Sequence, residues 1–170
     1  TSGGDSAIRL RTNDTPVEFE DRLQGMQRQC LEPESGDFVI YRRDGLVAYH
    51  LAVVVDDHEQ GITDVVRGID LMDSTPRQIW VQRCLGYRTP AYAHIPVAVH
   101  ADGSKLSKLT GATGIPTDEV RPTLVAALAA LRQAPASDLA DASLESIWSW
   151  ALTNWRMDAL SGLGSVPELA

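Results

Sequence analysis

Residues 46–86 read LVAYHLAVVVDDHEQGITDVVRGIDLMDSTPRQIWVQRCLG, and their order of elements decides the fold class. Ile62, Val65 and Val66 form a β-branched run that stops at Arg67-Gly68, which predicts a short strand. Thr75, Pro76 and Gln78 then supply an N-cap, a first-turn proline and a capping-box partner, and Gly86 supplies the stop. The helix between them should be about three turns long. Residues 92–100 follow as a mostly apolar, β-rich segment, which predicts a buried strand. Strand, helix and strand in succession point to an α/β architecture. Residues 46–58 admit two readings. Val53, Val54 and Val55 favour a strand, whereas the length of the segment and the terminal Gly61 suit a helix.

Upstream, residues 7–11, 17–20 and 37–42 alternate or carry β-formers, and acidic, glycine-containing stretches separate them, so short strands are expected. Downstream, Asp102-Gly103 starts a turn into the polar loop Gly103-Ser104-Lys105-Leu106-Ser107-Lys108-Leu109. Helical spacing follows twice, in Leu124, Val125, Leu128 and Leu131 after Pro122, and in Leu144, Ile147, Trp148, Ala151, Leu152 and Trp155 after Ser143. That spacing predicts Trp148 and Trp155 in the core and Trp150 off the apolar face, open to a role such as base stacking. The tail from Ser161 onward is expected to fray.

The chain has 170 residues, 44% of them hydrophobic and 22% charged, which excludes a disordered, collagen-like or membrane-spanning chain. Cys30 and Cys84 make neither a disulfide framework nor a zinc site, and no secretory signal precedes them, so a reducing cytoplasm is expected. Fifteen Lys and Arg stand against 23 Asp and Glu, a net charge of −8. Bulk attraction to nucleic acid is therefore excluded as the main activity. The balance is local, however: residues 41–110 carry eight acids and eight bases, while both flanks are acidic. Chemistry is expected in that neutral middle.

Arginine occurs thirteen times and lysine only twice, at Lys105 and Lys108 in one loop. A compact, mobile ammonium kept only there suits neutralisation of charge on a shifting phosphate; two neighbouring surface lysines are the alternative reading. His50, Asp56, Asp57, His58 and Glu59 offer a second cluster of polar groups. On a helix, however, neighbours 56–59 fan around most of a turn and cannot converge on one ion, so no metal site is assigned.

Lys105-Leu106-Ser107-Lys108, set after Ala93-His94-Ile95-Pro96-Val97, resembles the signature loop of class I aminoacyl-tRNA synthetases. Tyr49 to Asp57, Gly61-Ile62-Thr63, Val65-Val66-Arg67-Gly68-Ile69-Asp70-Leu71, Ser74-Thr75-Pro76-Arg77-Gln78 and Leu85-Gly86 extend the resemblance to the glutamyl-tRNA synthetase lineage. Within it the chain is more similar to the truncated glutamyl-Q tRNA(Asp) synthetase paralogues, from Ala7-Ile8-Arg9-Leu10-Arg11 through Asn154-Trp155-Arg156. The 61 residues after Leu109 are too few for the anticodon-binding domain of a full glutamyl-tRNA synthetase.

The resemblance implies the C-terminal half of a class I Rossmann-type catalytic domain plus a small α-helical subdomain. Its divisions would be a β-rich end of the connecting insertion at 1–44, the second half of the nucleotide-binding domain at 45–110, and a helical subdomain at 111–170. It also implies a ligase that uses ATP and Mg²⁺ to convert L-glutamate to glutamyl-adenylate and then transfers the glutamyl group to queuosine in the anticodon arm of tRNA(Asp). By position in the motif, Lys108 would contact ATP and stabilise charge on the α-phosphate and departing pyrophosphate, with Lys105 assisting and Ser107 adding a hydroxyl donor. Tyr49 and Arg67 match the glutamate-binding positions. Arg67 has an independent rationale, since a strand tip in an open α/β sheet faces the ligand crevice; its alternative is an ion pair with Asp64 or Asp70, and that of Tyr49 is a core aromatic. The family places most of residues 46–58 in a helix.

The family's histidine-and-glycine ATP signature and its cysteine-rich zinc insert have no counterpart here. Because Thr1 is not a natural start, this chain is expected to be one portion of a longer, monomeric product, inactive alone, with any zinc confined to the preceding portion. A glutamyl-tRNA synthetase fragment and a non-catalytic RNA-binding module on the same scaffold are the alternatives.

Overall fold

The computed structural model describes residues 6–107, 114 and 118–167. The chain divides into two compact units, Thr1–His94 and Ile95–Ala170.

The first unit begins with β1 (Ile8–Leu10), β2 (Val17–Asp21), β3 (Gly25–Gln29), a single helical turn α1 (Leu31–Glu34) and β4 (Phe38–Tyr41). Next come α2 (Tyr49–Glu59), β5 (Asp64–Gly68), α3 (Thr75–Leu85) and β6 (Ala91–Ile95). β1 pairs antiparallel with β4, its register slipping between Ile8 and Arg9. The main sheet has the order β3-β2-β6-β5, with β2 and β3 antiparallel and β2 parallel to β6. The architecture is α/β, as the sequence predicts.

The strand β3 was not legible in the sequence, because Gly25-Met26-Gln27-Arg28-Gln29 has almost no apolar alternation. Its turn makes it. Asp21 Oδ1 accepts the amides of Leu23 and Gln24 at 3.0 and 2.9 Å, and Gly25 takes φ +70°, a left-handed value that glycine adopts without steric cost. Within residues 46–58, Val47 bridges back to Tyr41 and the helix α2 begins at Tyr49. Gly61 at φ +68° ends it, with the Ile62 amide reaching back to the Asp57 carbonyl. The buried Val54 packs with Phe38 and Val81, so tertiary burial overrides the β propensity of the valines.

α3 runs for the expected three turns and stops at Gly86, φ +71°. Its start differs from the expected capping box. A 3₁₀ turn over Ile69–Ser74 runs directly into the helix, and the Thr75 amide already finds the Met72 carbonyl. The cap position falls at Ser74, with no side-chain cap bond, and Thr75 and Gln78 are buried with their polar atoms turned elsewhere. One core cluster joins Val17, Leu31, Ile79 and Tyr92, a second joins Phe38, Val54 and Val81, and Trp80 packs against both.

In the second unit, β7 (Val97–Val99) follows β6 after Pro96, which carries no amide hydrogen to continue a ladder. The segment expected as one strand over 92–100 is therefore two. Asp102-Gly103 makes the anticipated turn: the Ser104 amide donates to Asp102 Oδ1 at 2.9 Å, and Val99 bridges back to Lys105. The helices α4 (Val120–Ala130) and α5 (Leu144–Asn154) pack through Leu128, Ile147 and Ala151, and Ser143 caps α5 by accepting the Ser146 amide.

The face of α5 is the reverse of that expected for its tryptophans. Trp150 packs against the core, whereas Trp148 and Trp155 are 55% and 42% exposed. The helix carries two apolar stripes, Ile147-Trp150-Ala151 and Leu144-Trp148-Leu152-Trp155, both with helical spacing. Periodicity finds both stripes; packing against α4 selects the first. The tail also departs from expectation, since β8 (Ser165–Pro167) pairs parallel with β7 and buries Val166. Among the described residues no helix is long and apolar enough to cross a membrane.

Candidate functional site

The first unit holds a buried polar chain built from four elements. It starts at Asp21, the last residue of β2, whose carboxylate is fully buried. Oδ1 closes the hairpin turn, and both oxygens receive the His94 amide at 3.2 and 3.1 Å. Oδ2 lies 2.6 Å from His94 Nδ1, and the imidazole is likewise fully buried. Burial alone would raise the Asp21 carboxyl, but the hydrogen bonds from the His94 ring and from the Gln24, Leu23 and His94 amides outweigh it and hold the group below the usual range.

On its other side, His94 Nε2 receives the Nε–H of Arg67 at 3.1 Å and lies 3.1 Å from the Thr75 hydroxyl. Arg67 Nη2 donates to Thr75 Oγ1 at 2.7 Å and to Gln78 Oε1 at 2.8 Å. Thr75 and Gln78, expected to cap α3, instead form a cradle for the guanidinium. The Arg67 carbon Cζ sits 5.5 Å from the centroid of the Tyr92 ring, a cation–π contact beneath the same group. Among the described residues, Nη1 has no hydrogen-bond partner, so the cradle commits Nε and Nη2 and leaves Nη1 uncommitted. The alternative pairing of Arg67 with Asp64 is not made: Asp64 bonds Arg22 at 2.6 Å and Thr63 at 2.8 Å.

The charge of Arg67 reaches its neighbours. Burial raises the Asp57 carboxyl, with Arg67 opposing and Asp56 adding to the effect. Burial lowers the His50 imidazole, helped by Arg77 and Arg67. Burial raises the Tyr92 phenol, which also feels Arg67, Asp57 and Tyr49. Tyr49 itself opens α2, is half exposed, and sets its ring beside His50 at 5.5 Å between centroids. Its alternative as a core aromatic is therefore set aside. The side chains of the second polar cluster diverge on α2: His50 meets Phe38 edge-on, while His58 stacks on Tyr87 at 3.7 Å. Among the described residues no three such groups could hold a metal ion.

In the second unit, Lys105 is exposed at the hairpin bridge to Val99, and Ser107 is half-buried beyond it. Lys108 lies outside the described residues.

Asp21 and His94 escaped the sequence reading as site residues. A signal existed for His94: a histidine inside an apolar strand must be bonded if it is buried. Asp21, among acids that look like solvated charge, gave none.

The family model for tRNA synthetases class I (E and Q), catalytic domain, matches residues 1–132. The chain is 49% identical over 164 residues to the glutamyl-Q tRNA(Asp) synthetase of Pseudomonas fluorescens, covering 96% of this chain and 55% of that protein. It is 52% identical over 154 residues to the glutamyl-Q tRNA(Asp) synthetase of Dechloromonas aromatica, covering 91% of this chain and 51% of the relative. The chain thus spans about half the length of the curated relatives it matches. Its fold is similar to that of the glutamate-tRNA synthetase from Elizabethkingia anophelis, with a TM-score of 0.72 at 23% identity over 96% of this chain and 37% of that one. The strand-helix-strand order, the arginine at the β5 tip and the match over residues 1–132 agree, and the chain belongs to the class I tRNA synthetase (E and Q) catalytic-domain family.

Proposed function

We propose that this chain is the C-terminal portion of an enzyme that activates L-glutamate with ATP and transfers the glutamyl group to queuosine in the anticodon of tRNA(Asp). The observation that carries the reading is the Arg67 guanidinium, held through Nε and Nη2 by His94, Thr75 and Gln78, with Nη1 uncommitted among the described residues. A guanidinium fixed in that way, with Nη1 uncommitted, suits a carboxylate, which accepts a charge-assisted hydrogen bond from it. The names of the relatives at about half identity support the choice of glutamate and of tRNA(Asp).

In this mechanism Arg67 and Tyr49 bind and orient glutamate. A glutamate carboxylate oxygen attacks the α-phosphorus of ATP, the bond to the β-phosphate oxygen breaks, and pyrophosphate leaves. A hydroxyl of the queuosine cyclopentenediol then takes the glutamyl group and AMP departs. Lys108, with Lys105, neutralises the charge that develops on the α-phosphate and pyrophosphate, and Ser107 offers a hydroxyl donor. Lys105 is an exposed residue beside the Asp102-Gly103 turn, a placement that suits that role. Mg²⁺ would arrive on the phosphates of ATP, and no described residue of this chain is assigned to it.

The test is glutamate-dependent exchange of pyrophosphate into ATP by the parent-length protein without tRNA, followed by acylation of queuosine-modified tRNA(Asp). Exchange lost on Lys108→Ala and acylation restricted to queuosine-bearing tRNA(Asp) are the expected results. Acylation of tRNA(Glu) at its terminal adenosine, or absence of exchange in the parent-length protein, rejects the reading.

A further inference from the structure

We propose that Asp21 and His94 are positioning residues for carboxylate recognition: together they fix the imidazole tautomer whose Nε2 lone pair holds Arg67 in register for the ligand. The inference rests on the glutamate reading of Arg67.

The argument is one of proton counting. Every polar hydrogen site of a guanidinium is a donor, so Arg67 can meet His94 only if Nε2 is an acceptor. The single ring proton of a neutral imidazole must then sit on Nδ1, where Asp21 Oδ2 receives it at 2.6 Å. An imidazolium would set an Nε2–H against the Arg67 Nε–H across 3.1 Å, two donors with no acceptor between them. Thr75 fits the same scheme: its oxygen accepts from Arg67 Nη2, and its own proton points to His94 Nε2 at 3.1 Å or to the Leu71 carbonyl at 3.5 Å. With Nε and Nη2 both committed, the plane and rotation of the guanidinium are set before any ligand arrives, and Nη1 alone is without a hydrogen-bond partner among the described residues. The carboxylate of Asp21 touches no ligand. It acts through the imidazole.

Asp21→Asn is the informative variant, because it keeps the shape and an oxygen for the Leu23 and Gln24 amides while placing an NH₂ against His94 Nδ1. The imidazole must then take its proton on Nε2, turn a donor toward Arg67 and release it. In pyrophosphate exchange by the parent-length protein, Asp21→Asn should raise the KM for glutamate about tenfold or more, the effect of losing one charge-assisted hydrogen bond, while the KM for ATP stays unchanged. A folded Asp21→Asn protein with wild-type KM for glutamate overturns the proposal. A second measurement needs no variant to fold: ¹⁵N NMR of the histidine-labelled wild-type protein near neutral pH should show His94 neutral with its proton on Nδ1. A proton on Nε2, or an imidazolium, overturns the proposal. Arg67→Ala separates the two levels. A glutamate defect in Arg67→Ala beside a silent Asp21→Asn rejects the positioning role alone, whereas an unchanged KM in Arg67→Ala rejects the glutamate site and with it this inference.

Discussion

Arg67 Nη2 lies 2.7 Å from the hydroxyl oxygen of Thr75, a residue whose place in the sequence suits an N-cap. The difference between a capping role and a cradling role is measurable by a double-mutant cycle. Thr75→Val, nearly isosteric, should destabilise the protein by about 1–3 kcal/mol, because a buried charged donor loses an acceptor. In an Arg67→Met background that cost should largely disappear, giving a coupling of about 1–3 kcal/mol. Additive effects in urea melts would return Thr75 to the helix cap.

Stability should fall in acid partly through Asp21. Its folded-state carboxyl sits below the ordinary value, chiefly because the His94 ring and three amides outweigh the burial that opposes them. The unfolded chain therefore binds the proton first, so the contribution is fully present above about pH 4, the unfolded value, and is lost as pH falls through the folded one. Thermal melts of wild type and Asp21→Asn should converge as the pH drops below that window. A constant difference down to pH 2 would contradict the assignment.

Asp57 should behave in the opposite sense. Burial raises its carboxyl, so ionising it disfavours the folded state, and the penalty appears as pH rises through the unfolded and then the folded value. Asp57→Asn should raise the Tm at pH 7 and leave it unchanged at pH 3, where both states are protonated. A gain of equal size at both pH values would point to packing rather than charge.

The two apolar stripes of α5 give a packing test. Trp150→Ala should cost about 2–4 kcal/mol, in the range for truncating a large core side chain. Trp148→Ala and Leu152→Ala, at 55% and 81% exposure, should stay within about 0.5 kcal/mol. Iodide should quench Trp148 and Trp155 fluorescence far more than that of Trp150.

Gln133 and Arg156 form another fixed relationship in the second unit: the buried Gln133 amide accepts the Arg156 N–H at 2.7 Å and donates to its carbonyl at 3.2 Å. Gln133→Leu leaves both backbone groups without that partner and should destabilise by about 1–3 kcal/mol. An unchanged denaturation midpoint would show that water replaces the amide at no cost.

Much of the fold could be read from local signals. The strands around Leu10, Phe19 and Phe38, the strand ending at Arg67-Gly68, the stop at Gly86 and the cap at Ser143 all reflect backbone chemistry contained within a few residues. What the sequence withheld depends on distant partners. β3 exists because Asp21 and Gly25 shape its turn, and the buried face of α5 is chosen by α4. The site divides in the same way. Arg67 stood out as a cation at a strand tip, whereas the identity of what steadies it required bringing residues 21, 75, 78 and 94 together from three other elements.

The carboxylate of Asp21 closes a local turn and also grips a histidine 73 positions away. The assembly of the sheet and that of the cradle around Arg67 are thereby linked. A chain emerging during synthesis can form the β2–β3 hairpin early, yet its arginine gains a defined orientation only after β6 docks beside β2. Any variant that loosens the hairpin turn should therefore be felt first as lost order at the Arg67 guanidinium rather than as lost secondary structure.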